Sequence, residues 1–206
     1  MSFNKKVFTA WLLIVLVIGL YSCAPSPLKG LEKQTPSIDV LQSIIHFDNN
    51  GQANYRCHVE AFDQLISGMM IFKKTELNTR VLMMTDFGLK VLDISFTANG
   101  QYKINYIMKH FDYQFVRESF ALNILMLLDQ QISINTYFYQ KFDSSLFYHQ
   151  KMLFFQKDGI TQKVKRYRGK KKLIAIVKMQ KSANIDIQQF QPPISMTLSP
   201  IIHVKK

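Results

Sequence analysis

The chain has 206 residues, of which 48% are apolar and 19% charged, and its net charge is +12. That composition excludes a disordered or collagen-like chain, and two cysteines are too few for a disulfide-stapled scaffold. The charge is uneven: residues 24–130 hold 10 Lys+Arg against 11 Asp+Glu, whereas residues 131–206 hold 14 against 3.

The first element reads as an export signal. Lys5 and Lys6 precede an uncharged run from Val7 to Leu20, and no acidic residue occurs before Cys23. Those 14 residues suit the h-region of a signal and fall short of the ~20 that a spanning helix needs. The following Leu20-Tyr21-Ser22-Cys23 resembles the lipobox of bacterial lipoproteins, with a small residue before the cysteine and an aliphatic one three before it. Tyr21 departs from that pattern, where small residues are commoner. The resemblance implies lipidation of Cys23 and cleavage before it, so that residues 1–22 are the signal peptide. A plain secretory signal or an uncleaved anchor is the alternative.

Residues 23–36 then read as a lipidated N-terminus and flexible tether, punctuated by Pro25, Pro27, Gly30 and Pro36. Residues 37–206 are long enough for a single β-rich globular domain with its own core. If Cys23 carries lipid, Cys57 has no intramolecular partner and is expected to be a buried free thiol. No acidic cluster follows Cys23. The expected location is the cell envelope, lipid-anchored on the outer membrane and facing the periplasm.

The spacing of Val40, Leu41, Ile44 and Ile45 predicts a short helix over 36–49, closed by a turn at Asn49-Asn50-Gly51. The period then changes to two. Tyr55, Cys57, Val59 and Ala61 alternate with Arg56, His58 and Glu60. Apolar runs at 69–72 and 81–84 follow. Leu92, Ile94 and Phe96 share one face, and Asn99-Gly100 is a hairpin signal. Tyr102, Ile104, Tyr106 and Met108 alternate with Lys103, Asn105 and Ile107. These spacings predict an antiparallel meander of about five strands.

Asp112 can cap a helix over 113–128 that is apolar nearly all round, with Phe120 and Ile124 among its large side chains. Such a helix suits the inside of a curved sheet. Strands are predicted again over 132–142, 146–156, 160–168, 173–178, 184–190 and 194–204. Gly68 is read as the site of a bend or bulge, and Gly88 as a turn. The predicted fold class is α+β, mainly β: a curved antiparallel sheet or open half-barrel of about 8–11 strands, with a central apolar helix on its concave side.

The segments Ser67-Gly68-Met69-Met70-Ile71-Phe72-Lys73, Arg80 to Met84 and Phe87-Gly88-Leu89-Lys90-Val91-Leu92-Asp93-Ile94 resemble a group of Gram-negative envelope lipoproteins. The strand–helix–strand order is similar to the lipoprotein-localisation fold, the family of the periplasmic carrier LolA and the outer-membrane receptor LolB. The resemblance implies an open half-barrel whose cavity receives acyl chains. No ligand-contacting residue is carried over from that family, and a shared fold does not establish a shared activity.

No catalytic constellation is visible. The five histidines show no metal-ligand spacing, and adjacent Cys57 and His58 point to opposite faces of a strand. No enzyme activity, metal or cofactor is expected. The expected apolar-ligand cavity is lined by Leu92, Ile94, Phe96, Tyr106, Phe120, Ile124, Phe138 and Phe154, with an ordinary filled core as the alternative. Lys165, Arg166, Arg168, Lys170, Lys171 and Lys172 are the candidates for contact with an anionic membrane or phosphate. A solvated hairpin tip is the alternative there. The expected partners are a membrane through the N-terminal lipid, acyl chains or lipoproteins, and an envelope protein, but no nucleic acid. The chain thus reads as a periplasmic lipoprotein that binds an apolar ligand, lipid or lipoprotein acyl chains, in envelope lipoprotein trafficking. The alternative is a non-catalytic structural or interaction subunit of an envelope complex.

Overall fold

The structure is a computed structural model that describes residues 40–128, 130–131, 137–141, 144–149, 151–158, 160–169 and 172–201. The chain divides into two units, residues 1–30 and 31–206, and every described residue lies in the second. The signal, tether and Cys23 readings fall outside the described residues, as do Lys170, Lys171 and the side chain of Phe138.

Alternating apolar residues form β2 (Gln52–Ala61), β3 (Gln64–Lys74), β4 (Asn78–Thr85), β5 (Lys90–Thr97) and β6 (Tyr102–Ile107). This is the expected five-stranded meander. A short 3-10 turn (Lys109–Phe111) leads into α1 (Gln114–Leu125). The remaining chain forms β8 (Tyr137–Lys141), β9 (Ser144–His149), β10 (Met152–Lys157), β11 (Ile160–Arg168), β12 (Lys172–Met179), β13 (Ile185–Phe190) and β14 (Pro193–Pro200). Twelve strands make one unclosed, curved antiparallel sheet in the order β6-β5-β4-β3-β2-β14-β13-β12-β11-β10-β9-β8. The two meanders meet where β14 pairs with β2. The chain therefore passes from one edge of the sheet to the other between β6 and β8, and α1 lies on that path over the concave side.

Four register shifts interrupt the ladder, in the β4–β5, β5–β6, β10–β11 and β11–β12 pairs. Bulges of this kind add twist and bend a sheet. Gly68 serves the same end. A Cβ there would lie 1.9 Å from the Met84 carbonyl oxygen, so only glycine lets β3 approach β4 beside the Met83/Met84 bulge.

Three expectations need correction. Among the described residues 40–49, the helix predicted over 36–49 is absent. Instead β1 (Val40–Leu41) pairs with β7 (Gln130–Gln131), and the Ile44 N–H donates to the Leu127 carbonyl at 3.0 Å. A short isolated helix is marginal, and burying Ile44 and Ile45 against the end of α1 outweighs it. The residue before α1 is Tyr113, with no side-chain cap, because the Asp112 carboxylate is bound to Arg117 instead. The strand predicted over 146–156 is two strands, β9 and β10, because the chain reverses at Lys151, whose φ is +66°.

The core is one cluster. The inward residues of β2–β5 and of β10–β14 pack against Val116, Phe120, Ala121, Ile124 and Leu125 of α1. The helix is buried on several sides, as its composition predicts. Among the described residues no helix is long and apolar enough to cross a membrane.

Candidate apolar binding site

Leu92, Ile94 and Phe96 of β5, Phe120 and Ile124 of α1, and Phe154 of β10 come together in the core, each almost fully buried. The helix fills the concave face at these residues. Tyr106 does not join them. The bulge between Asp93 and Ile94 puts Ile104 and Ile107 in register with core residues, and Tyr106 pairs with Asp93 on the outer face. There Lys90 Nζ sits 5.5 Å from the centroid of the Tyr106 ring. Strict alternation fails at one extra residue, Asn105, and the tyrosine is carried to the wrong side of the sheet.

The core opens at one end. A cavity of about 160 Å³ lies between the β3–β4 turn, the start of the β5–β6 turn and the C-terminal end of α1. Its apolar lining comes from Leu77, Phe96, Leu125 and Leu128, and its rim from Lys74, Glu76 and Asn78. Of the expected cavity residues whose side chains are described, Phe96 alone reaches this opening. The lining comes from three separate stretches, residues 74–79, 96–98 and 125–128, and no local pattern joins them.

A polar seam crosses the core beneath the helix. Ser119 and Asn123 lie one turn apart on the same face of α1. The Arg166 guanidinium of β11 donates to Asn123 Oδ1 at 3.0 Å and to Gln189 Oε1 of β13 at 2.9 Å. Gln189 Nε2 donates in turn to Ser119 Oγ at 2.9 Å. Arg166 is 8% exposed, and among the described residues both Arg166 Nε and Asn123 Nδ2 lack a partner. Among the described residues no carboxylate pairs with this guanidinium. Burial, and then the nearby Arg168 charge, push its pKa down to about 10. Arg166 is therefore unavailable to an external phosphate, which corrects its place among the expected surface contacts. The signal was present in the sequence, since Arg166 shares parity with the apolar Val164.

The other described basic candidates are accessible. Lys165 is half-buried on the outer face, where it and Lys163 lie 5.4 and 5.5 Å from the centroid of the Phe155 ring. Arg168 and Lys172 are exposed at the β11–β12 turn. Asp93 is missing from the sequence reading as a feature of interest. It is 2% exposed, yet it accepts two hydrogen bonds from Arg80 at 2.9 and 2.6 Å and one from Asn105 at 3.2 Å. Arg80, above all, holds this carboxyl below the usual carboxylate range.

Cys57 points into the core as a buried free thiol, and burial pushes its pKa up to about 11. His58 points out, with Nδ1 2.9 Å from Ser67 Oγ, so the two neighbours form no dyad. Among the described residues no group of three or more His, Cys, Asp or Glu is placed to hold a metal ion.

No protein-family model matches the sequence, and no curated protein matches it. Solved structures do show a likeness. An outer membrane lipoprotein-sorting protein domain from Vibrio parahaemolyticus is 10% identical with a TM-score of 0.46, covering 76% of this chain and 86% of that one. A DUF1329 family protein from Desulfovibrio piger is 7% identical with a TM-score of 0.40, covering 75% and 85%. The chain is similar in architecture to these proteins. At such identities and TM-scores, function has to be argued from this chain's own residues.

Proposed function

We propose that this protein is a lipid-anchored lipoprotein of the outer membrane, facing the periplasm, that takes an apolar chain of lipid or of a lipoprotein in transit between α1 and the sheet. The observation that carries this reading is the opening at Phe96, Leu125 and Leu128, which leads from solvent to the seam between helix and sheet. At about 160 Å³ it is smaller than the ~300–1,000 Å³ of a typical ligand pocket. It accommodates the end of a chain, and admitting the rest requires α1 to move away from β5. The contacts that would yield include Arg166–Asn123 and Gln189–Ser119. Polar contacts of this kind can exchange for water as the helix lifts, whereas its apolar face would need new apolar cover, which an acyl chain supplies at ~25 cal/mol per Å².

The test has two arms. Protein purified from the native host is extracted with solvent, and both extract and protein are weighed by mass spectrometry; recovered lipid and a fatty-acylated Cys23 are expected. Delipidated protein is then titrated with a fluorescent long-chain fatty acid. Leu125→Trp with Leu128→Trp should fill the opening and abolish binding, and undiminished affinity in that variant would remove the opening from the reading.

A second reading, a non-catalytic subunit of an envelope complex, is favoured by the outer edge of β6. Among the described residues it ends the sheet unpaired, and it exposes Tyr102 and Tyr106. Cross-linking from the 163–172 segment would then recover a protein in stoichiometric amount.

A further inference from the structure

The turns at the two ends of the sheet differ in kind. One end carries the β2–β3, β4–β5 and β13–β14 turns, with the β11–β12 and β9–β10 turns beyond them in the same row. Large apolar side chains project from the first three. Phe62 lies in the β2–β3 turn and Leu65 at the start of β3 just beyond it, Phe87 and Leu89 lie in the β4–β5 turn, and Phe190 precedes the β13–β14 turn. Phe87 is 93% exposed and Leu65 73%. The rest of the row is basic at its described tips, with Lys151, Arg168 and Lys172 exposed. Asp63 and Asp86 also lie in the row, and Asp86 is 3.7 Å from Arg56. The opposite end has polar tips such as Asp48, Asn99 and Lys181, and its most exposed apolar tip, Leu77, belongs to the 160 Å³ opening.

Phe62 adds a second observation. Ala61 pairs with Gln64, so the β2–β3 turn has two residues, and both Phe62 (φ +54°) and Asp63 (φ +60°) are left-handed. Glycine and asparagine favour such positions, and a phenylalanine there is strained. The turn thus keeps a bulky aromatic side chain near the surface, edge-on to the half-exposed Phe115 with ring centroids 5.7 Å apart. Strain held at an exposed site points to use of that site.

We propose that this row of turns is a membrane-docking edge: its apolar tips enter the interfacial layer of an anionic phospholipid bilayer, and its basic turns meet the lipid phosphates. Separate apolar prongs on separate turns suit a fluid planar surface that closes around each. Apolar tips suit the interfacial layer, and the basic tips beside them suit the lipid phosphates. The described chain enters the domain at the other end, where the Gln42 carbonyl accepts a hydrogen bond from Thr161. Docking through this edge is a separate property from N-terminal anchoring and from acyl-chain binding.

The chain has a single tryptophan, Trp11. In full-length protein carrying Trp11→Phe, Phe87→Trp places the only reporter on the proposed edge, and Lys181→Trp places it at the opposite end, outside the lining of the 160 Å³ opening. Vesicles of phosphatidylethanolamine and phosphatidylglycerol with brominated acyl chains are then added. The Phe87→Trp emission should shift to the blue and lose most of its intensity, while the Lys181→Trp emission stays unchanged. Arg168→Glu with Lys172→Glu should raise the vesicle concentration needed by roughly tenfold or more. The proposal is overturned if Phe87→Trp does not respond, if Lys181→Trp is quenched equally, if phosphatidylcholine vesicles work as well as anionic ones, or if the shift appears only with an added envelope protein and no lipid.

Discussion

Arg166 on β11 and Asn123 on α1 hold the helix to the sheet through a 3.0 Å hydrogen bond that crosses an otherwise apolar core. Among the described residues the buried guanidinium has only neutral acceptors, Asn123 and Gln189. Removing the donor strands both acceptors. Arg166→Met is therefore expected to cost about 1–3 kcal/mol in urea unfolding. Adding Asn123→Leu removes one of the stranded groups, so the double variant should be less destabilised than the two singles together by about 1 kcal/mol or more. Additive losses would mean that the two side chains do not act as a unit.

Asp93 gives a pH dependence of known sign. Its carboxyl is held below the ordinary range by Arg80, then Asn105 and Lys90, against the opposing effect of burial. A carboxyl depressed in the folded state stabilises above the ordinary value of about 4, and that stabilisation fades as pH falls through the folded value. Asp93→Asn should therefore flatten the acid limb of a urea-midpoint profile taken from pH 7 to pH 2. Superimposable acid limbs in the two proteins would show that Asp93 contributes nothing there.

Cys57 works in the other direction. Burial raises its thiol from 9.0 to about 11. The unfolded chain loses this proton first, so stability is intact below pH 9 and declines as pH rises toward 11. Cys57→Ala should lose that alkaline slope, although the variant starts from lower stability because of the space it leaves. In the parent, a maleimide should label Cys57 only at the rate at which the native state opens. Fast labelling without denaturant would contradict the burial.

Much of this fold can be read from the sequence, and the failures have definite causes. The meander from Tyr55 to Ile107 is legible because apolar and polar residues alternate and Asn99-Gly100 marks a turn. The α1 helix is legible because it is apolar around most of its circumference. The β2–β3 turn carries no glycine or asparagine, so Phe62-Asp63 shows no turn signal in the sequence. Parity places Tyr106 inward, and a bulge one residue away reverses it. The charge of Arg166 points outward, whereas its parity with Val164 points inward. The opening of the candidate site needs residues 74–79 beside residues 125 and 128, a relation that only the folded sheet creates.

The strained turn supplies a last test. Left-handed backbone costs an L-residue roughly 1–2 kcal/mol, which glycine does not incur. Asp63→Gly changes the strained residue without touching the aromatic pair, and should stabilise the domain by about 1 kcal/mol, or ~2–4 °C for a chain of this size. Phe62→Asn relieves strain too, but it loses the edge-on contact with Phe115, valued at ~0.5–1.5 kcal/mol. The two effects nearly cancel, so its melting temperature should stay close to that of the parent. Binding to anionic vesicles should nevertheless weaken, because the apolar tip is gone. A Phe62→Asn protein with unchanged stability and unchanged vesicle affinity would leave the strain at this turn without a function in docking.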